Sequence, residues 1–188
     1  MSPSPDGPNG TAEASASTGS RPLSGFDRDV LALVPALRRY SQSLSRSNAD
    51  GEDLLQDCIE KVFSSRGQWH GINLRAWAYR IMTNLHRNGY RKSARWPSVN
   101  IDAIPEMAAP ADDSDPLERK RMRMALDALS PDNRAVLMLV VLEGHSYQEV
   151  ATLLDIPIGT VMSRLSRARR QLAERLRKDN IITLRRPK

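Results

Sequence analysis

The segment that most limits what this chain can fold into is SYQEVATLLDIPIGTVMSRLSRARRQL, residues 146–172. Ser146 and Glu149 stand at capping-box spacing, so each can satisfy an amide that the first turn of a helix leaves without a partner. Val150, Ala151 and Leu154 give that helix an inward face, and the small Ala151 lets a second helix cross close by. Ile156-Pro157 interrupts the pattern, and a turn is predicted over 155–158. On the helix that follows, Val161, Leu165, Ala168 and Leu172 fall within an arc of about 60° at about 100° per residue. Ser163, Ser166, Arg167 and Arg170 must then point away from the core. Residues 146–170 therefore read as a helix-turn-helix whose second helix carries an Arg face suited to duplex DNA.

Arginine can pair two donors with O6 and N7 of guanine in the major groove, which makes Arg167 the leading base reader, with Ser163 beside it. Arg164 on the flank and Arg169 near the seam suit phosphate contacts, and Thr160 near the helix start can also bond phosphate. Any one of these arginines taken alone is as easily a solvated helix face; the coincidence of cap, turn and Arg face carries the reading.

Other helix starts are equally explicit. Asp115-Pro116 and Ser130-Pro131 each join a capping residue to a proline at the first helical position. With the helix-turn-helix they give four short helices in a block from about 115 to 178. A second helical block runs from about 27 to 96. Its first helix has a stripe of Val30, Val34, Leu37 and Leu44. Its second is predicted to start at an Asp50 cap and to bury Leu54, Leu55, Cys58, Ile59 and Val62. Its third spans about 74–95, with Trp77, Ile81 and Leu85 as the expected seam and SSRGQWHGIN as the preceding loop. No strand pattern competes, so the fold class is all-α: two small helical domains joined by a flexible acidic linker.

That linker, PSVNIDAIPEMAAPADDSD at 97–115, holds three prolines and five acids with no Lys or Arg, a formal charge of −5. It separates two basic blocks in a chain whose net charge is +6, a balance that favours polyanion partners without proving one. The domain limits expected are a disordered Pro/Gly/Ser tail at 1–25, a first domain at 26–96, the linker at 97–115, a second domain at 116–178 and a basic tail at 179–188. The single cysteine, Cys58, excludes an intrachain disulfide or a CxxC pair and fits a reducing, cytoplasmic setting. No apolar run is long enough to span a bilayer, so no membrane insertion is expected.

The first block carries two further patterns. Asp53, Asp57 and Glu60, with Gln56 alongside, make an acidic stripe opposite the apolar face of their helix; alone, such a stripe is a solvated surface. Six of the nine aromatics (Phe63, Trp69, Trp77, Tyr79, Tyr90, Trp96) fall between 63 and 96, among Arg80, Arg87, Arg91, Lys92 and Arg95. Cations can track a backbone while aromatic faces receive unstacked bases, although Trp77 and Phe63 are equally expected in the core. Arg80, Arg87, Arg91 and Arg95 share an arc of about 80° on an ideal helix, a coherent phosphate-facing stripe.

Three stretches in order, EDLLQDCIEKVF (52–63), NLRAWAYRIMTNLHRNGYRKSAR (73–95) and ALDALSPDNRAVLMLVVLEGHSYQEVATLLDIPIGTVMSRLSRARRQL (125–172), resemble the extracytoplasmic-function (ECF) group of bacterial sigma factors. The resemblance covers nearly all of the chain except its N-terminal tail. It implies that the first block is sigma domain two and the second sigma domain four, joined by a linker that replaces the intervening domain of larger sigma factors. It implies that Asp53, Gln56 and Asp57 dock on the coiled coil of the largest subunit of core RNA polymerase, where ionic rim contacts add orientation and on-rate more than affinity. It places a flipped base of the melted −10 element at Asn84, with Trp69 near the same pocket and His86, Asn88 and Tyr90 contributing to preference. It assigns −35 duplex recognition to the helix-turn-helix residues Thr160, Ser163, Arg164, Ser166, Arg167 and Arg170. Family linkers thread toward basic channels of the polymerase, which a −5 segment can occupy until RNA displaces it; an ordinary spacer explains the composition almost as well. An anti-sigma factor is the remaining partner implied, with control by an envelope or stress signal.

Two other readings stay in view: a sigma-like decoy that sequesters an anti-sigma factor, and a stand-alone helix-turn-helix regulator. The decoy is disfavoured by an intact Arg face and by the absence of a receiver domain within these residues. An enzyme finds no support, because His70, His86 and His145 are scattered and no nucleophile-base set or phosphate-binding Gly loop can be assembled; no catalytic residue, metal or cofactor is assigned. Met162 departs from relatives that carry a basic residue there, leaving either a thymine-methyl contact or simple packing. Cys58 lies on the expected core face, which argues against thiol sensing.

Overall fold

The computed structural model describes residues 24–95 and 115–183, with side chains over 24–92 and 115–177. The expected acidic linker, apart from its last residue Asp115, lies outside the described residues, as do the N-terminal positions through 23 and the last five positions. Within them the chain is wholly helical: α1 (Gly25–Leu44), α2 (Asn48–Ser64), a 3-10 turn (Arg66–Gln68), α3 (Leu74–Arg95), α4 (Pro116–Asp127), α5 (Pro131–Val141), α6 (Tyr147–Leu154) and α7 (Ile158–Thr183).

Each helix start has a side-chain cap where the sequence supplies one, but not always where it was expected. Ser24 and Asp27 form a reciprocal capping box at α1, so a capped helix starts inside the stretch assigned to the tail. Helix α2 is capped by Ser47, whose hydroxyl accepts from the Asp50 amide; Asp50 itself sits in the first turn, where its charge favours the positive end of the helix dipole. The serine wins because the cap must have extended backbone, and Asn48 to Asp50 already continue the helix without strain. The caps at Asp115, Ser130 and Ser146 are as read, with Pro116 and Pro131 opening their helices. Helix α7 is not short: its 26 residues run through the position set as the domain end to Thr183.

Helices α1 to α3 pack together, with Phe26, Val30, Leu37, Tyr40, Leu44, Leu55, Cys58 and Val62 buried. The seam of α3 is offset from the expected one. Ala78, Tyr79, Met82 and Thr83 are buried, whereas Trp77, Ile81 and Leu85 are only partly covered. Tyr79 and Thr83 lie on the α1 side, where the Thr83 hydroxyl shares a hydrogen bond of 3.0 Å with Tyr40 Oη and donates to the Tyr79 carbonyl at 2.8 Å. Phe63, expected inside, is 39% exposed and meets Phe26 edge-on.

The reason for the offset is that α3 has neighbours on two sides. Besides α1 and α2 it packs on α5 and α6, and α1 also packs on α5. The two blocks read from the sequence thus share one continuous cluster of buried residues. Arg134 of α5 pins the junction: it is nearly buried and donates to the carbonyls of Ser43 and Ser45 at 2.9 Å each, while its other branch meets Asp127 at 2.7 Å. Those carbonyls end α1, so a guanidinium from the opposite block completes the hydrogen bonding of a helix C-terminus and complements its dipole.

Candidate nucleic-acid interface

In the C-terminal block, α6 and α7 meet through a turn at Asp155, whose backbone is left-handed at φ 54°. Aspartate tolerates that conformation better than most side chains, since its short carboxylate can bond locally. Val150, Ala151, Leu153 and Leu154 are buried from α6, and Val161, Leu165 and Ala168 from α7, with Leu172 partly covered. The seam read from sequence is therefore the packed one. Met162, Ser166, Arg167, Arg169 and Arg170 are exposed along the outer face. Thr160 and Ser163 are half-buried, and the Ser163 hydroxyl donates to the Thr160 carbonyl at 3.1 Å. Gly159, at the helix start, has open space where a side chain would stand.

Arg164 is set apart from its neighbours. It lies on the flank and pairs with Asp132 Oδ2 at 3.4 Å. Met162 is 54% exposed, so packing does not account for it.

In the N-terminal block, the basic stripe of α3 is divided. Arg80 pairs with Asp155 at 2.7 Å and Arg87 with Asp132 at 2.7 Å, both across the junction between blocks. Asn84, Asn88 and Arg91 are exposed on α3; the Arg95 side chain lies outside the described residues. Trp69 follows the 3-10 turn and packs its ring 5.1 Å from that of Phe26, with its indole N–H buried and unpartnered. It is thus placed at the α1 end of the block's aromatic cluster, beside Arg66, which lies over the Phe26 ring. Asp53, Gln56 and Asp57 are all exposed on α2, opposite Leu55, Cys58 and Val62, and Gln56 donates to Glu60 at 3.1 Å.

The electrostatics follow from burial. Desolvation pushes the Cys58 thiol up to about 12, so it stays protonated and inert. Desolvation also holds His86 down to about 4, with the Arg134 charge adding to it, which keeps the ring a neutral donor to the Leu44 carbonyl instead of a cation for DNA. Tyr79 is raised by desolvation first and by Glu143 second. Glu149 is lowered by its hydrogen bonds with the Ser146 hydroxyl and amide, the capping box itself.

Sequence reasoning missed Asp132, Asp155 and Arg134, which do most to organise the arginines. Asp132 reads as an ordinary first-turn acid and Asp155 as a turn residue; nothing local signals a partner 45 or 75 positions away.

Comparison with known proteins joins the two blocks into one family. Residues 119–172 match the model of sigma-70 region 4, and residues 30–83 match that of the sigma2 domain of PhyR. The chain is 32% identical over 182 residues to the ECF RNA polymerase sigma factor SigE of Mycolicibacterium smegmatis, covering 92% of this chain and 70% of that protein. It is 35% identical over 151 residues to the ECF RNA polymerase sigma factor EcfG of Rhodopseudomonas palustris, covering 77% and 81%. A solved structure of the sigma factor RpoE of Bartonella quintana, in complex with the anti-sigma factor NepR, superposes with a TM-score of 0.62 at 33% identity, over 82% of this chain and 98% of that one. With both blocks matched in order and relatives above 30% identity along most of its length, the chain belongs to the ECF RNA polymerase sigma factors.

Proposed function

We propose that this sigma factor joins core RNA polymerase and directs it to two-part promoters, with residues 26–96 acting as the docking and strand-opening domain and residues 116–178 as the duplex-reading domain. The observation that carries the reading is that one chain presents an exposed acidic face on α2 and an exposed Arg face on α7, on two blocks that match sigma-factor models in succession. Asp53, Gln56 and Asp57 dock on the polymerase. Asn84 takes a base of the melted −10 strand, Trp69 supports that pocket, and Arg80, Arg87, Asn88, Arg91 and Arg95 follow its backbone. Arg167 reads guanine in the −35 duplex, with Ser163 and Ser166 beside it, while Thr160, Arg164 and Arg170 hold phosphates. The protein works in the cytoplasm under an anti-sigma factor; no described helix is long and apolar enough to cross a membrane. Its role is assembly and recognition, as in the sigma factors it matches, and not catalysis.

Reconstitution with core polymerase on genomic promoter fragments tests this. Transcripts are expected from the mixture and from neither component alone; a purified chain that neither joins core nor yields transcripts refutes the reading. Within it, Arg167→Ala should lose −35 selectivity, whereas Asn84→Ala should keep duplex binding and lose permanganate-reactive thymines. A decoy that sequesters an anti-sigma factor is the second reading, and the match of residues 30–83 to the sigma2 domain of PhyR stands on its side. Tight anti-sigma binding without any binding to core would select it.

A further inference from the structure

The arginines of α7 leave its leading end uncharged: residues 156–163 hold no acid and no Lys or Arg. Two apolar side chains nevertheless stand open there, Ile158 at 44% exposure and Met162 at 54%. They are four residues apart, so they share one side of the helix, and Ser166, also exposed, extends the row by one more turn. Val161 is fully buried and fixes the rotation of α7. Measured from it in one sense at about 100° per residue, Ile158, Met162 and Ser166 lie about 60–140° round the helix, and Arg170, Ser163 and Arg167 about 180–240°. The outward face thus has two rows, one largely apolar and one basic. Arg169 rejoins the apolar row about two turns further along, past the end that a recognition helix inserts into the groove. Gly159 has open space where a side chain would stand, so nothing on that side shields the pair. The Ser163 hydroxyl is already committed as a donor to the Thr160 carbonyl at 3.1 Å.

We propose that Ile158 and Met162 form an apolar ledge that reads the 5-methyl groups of two thymines in the −35 duplex, within two base-pair steps of each other and beside the guanine taken by Arg167. The proposal rests on the promoter-reading function given above and names a base that it selects. Thymine is the one base whose major-groove edge carries a methyl group, and apolar side chains are what meets it. The spacing agrees: four residues advance about 6 Å along a helix axis, and two base-pair steps advance about 6.8 Å along the duplex. The surroundings choose DNA over a protein partner as occupant, because the ledge shares its face with the exposed cations Arg167, Arg169 and Arg170. A duplex puts methyl groups on the groove floor and phosphates on its walls, which matches an apolar row bordered by guanidiniums. In place of the basic residue of some relatives, Met162 offers a flexible, polarisable thioether that can follow an irregular apolar surface.

The test uses the holoenzyme reconstituted from the full chain and core polymerase, on a promoter pool randomised across the −35 element. Enrichment of thymine at two positions beside a guanine is expected. Each of these thymines is then exchanged for deoxyuracil, which removes only the methyl group, and binding is measured by competition against a labelled promoter. The wild type should lose about fourfold at each position. Ile158→Ala should be indifferent to the exchange at one position and Met162→Ala at the other; both side chains are exposed and alanine is a good helix former, so the fold is kept. Met162→Arg should lose the thymine preference and steepen the dependence of log affinity on log salt by about 0.9. Equal affinity of the wild type for thymine and deoxyuracil promoters, or an undiminished loss in the alanine variants, overturns the proposal. So does a defect of those variants in joining core with base preference unchanged, which makes the ledge a protein contact. A pool that enriches guanine and yields transcripts without thymine selection sinks the ledge alone, whereas a holoenzyme that enriches no −35 sequence and makes no transcript sinks the promoter reading with it.

Discussion

His86 gives the junction a measurable acid sensitivity. Its ring sits on α3 against the end of α1, where one N–H donates to the Leu44 carbonyl and Nδ1 is buried without a partner. Burial, then Arg134, then Arg46 oppose a proton on the ring, while the Leu44 bond and Asp132 favour one; the balance leaves the folded value near 4, against 6.5 ordinarily. Below 6.5 the unfolded chain therefore binds a proton that the folded chain refuses. The stabilisation from a neutral His86 is complete above that value and declines as pH falls toward about 4. Between pH 7 and pH 5 the loss from this one group is about 2 kcal/mol, and about 3 kcal/mol once the window is crossed. Glutamine at this position keeps a donor for Leu44 and cannot titrate. Urea unfolding of wild type and His86→Gln at pH 7 and pH 5 isolates the term, because acid effects at the carboxylates are common to both. The wild type should lose about 2 kcal/mol more than the variant; equal losses would refute the reasoning.

Three further outcomes are open to simple assays. Gly89 has open space beyond its Cα within helix α3, so Gly89→Ala should raise stability by about 0.5–1 kcal/mol, whereas a Cβ on Gly51 stands 3.0 Å from Gln42 Cα, and Gly51→Leu should cost about 1–3 kcal/mol by forcing α1 and α2 apart; thermal melts read both. Cys58 is fully covered and donates to the Ala78 carbonyl at 3.6 Å, so a thiol reagent should label it only at the rate of unfolding, and rapid labelling of the native chain would contradict the packing. Met162 is exposed on the recognition helix; if it covers a thymine methyl, exchanging thymines for deoxyuracil in a bound −35 duplex should weaken the wild type by about fourfold at one position and leave Met162→Ala indifferent.

The helix-turn-helix was legible because its determinants are local: Ser146 and Glu149 lie three residues apart, and the packed residues of α7 repeat at helical spacing. The caps at Ser130 and Asp115 were legible for the same reason. Ser24 was hidden by the low-complexity run before it, although its spacing to Asp27 is a valid capping box. The seam of α3 was misplaced because one stripe was sought on a helix that is covered from two sides. Tyr79 is buried against Tyr40 on one flank and faces the His145 ring on the other, which no single periodicity encodes. The ion pairs of Asp132 and Asp155 depend on how two blocks dock, information that is spread across both.

The pairing of Arg80 and Arg87 on α3 also bears on how the protein is distributed in a cell. A basic chain with open arginines would be drawn onto the roughly 10⁶–10⁹ non-specific sites that a genome offers, and few copies would remain to meet polymerase. Arg80, Arg87 and Arg164 are satisfied internally, whereas Arg91, Arg167, Arg169 and Arg170 stay exposed on a chain of net charge +6, so the pull of a polyanion acts on those four first.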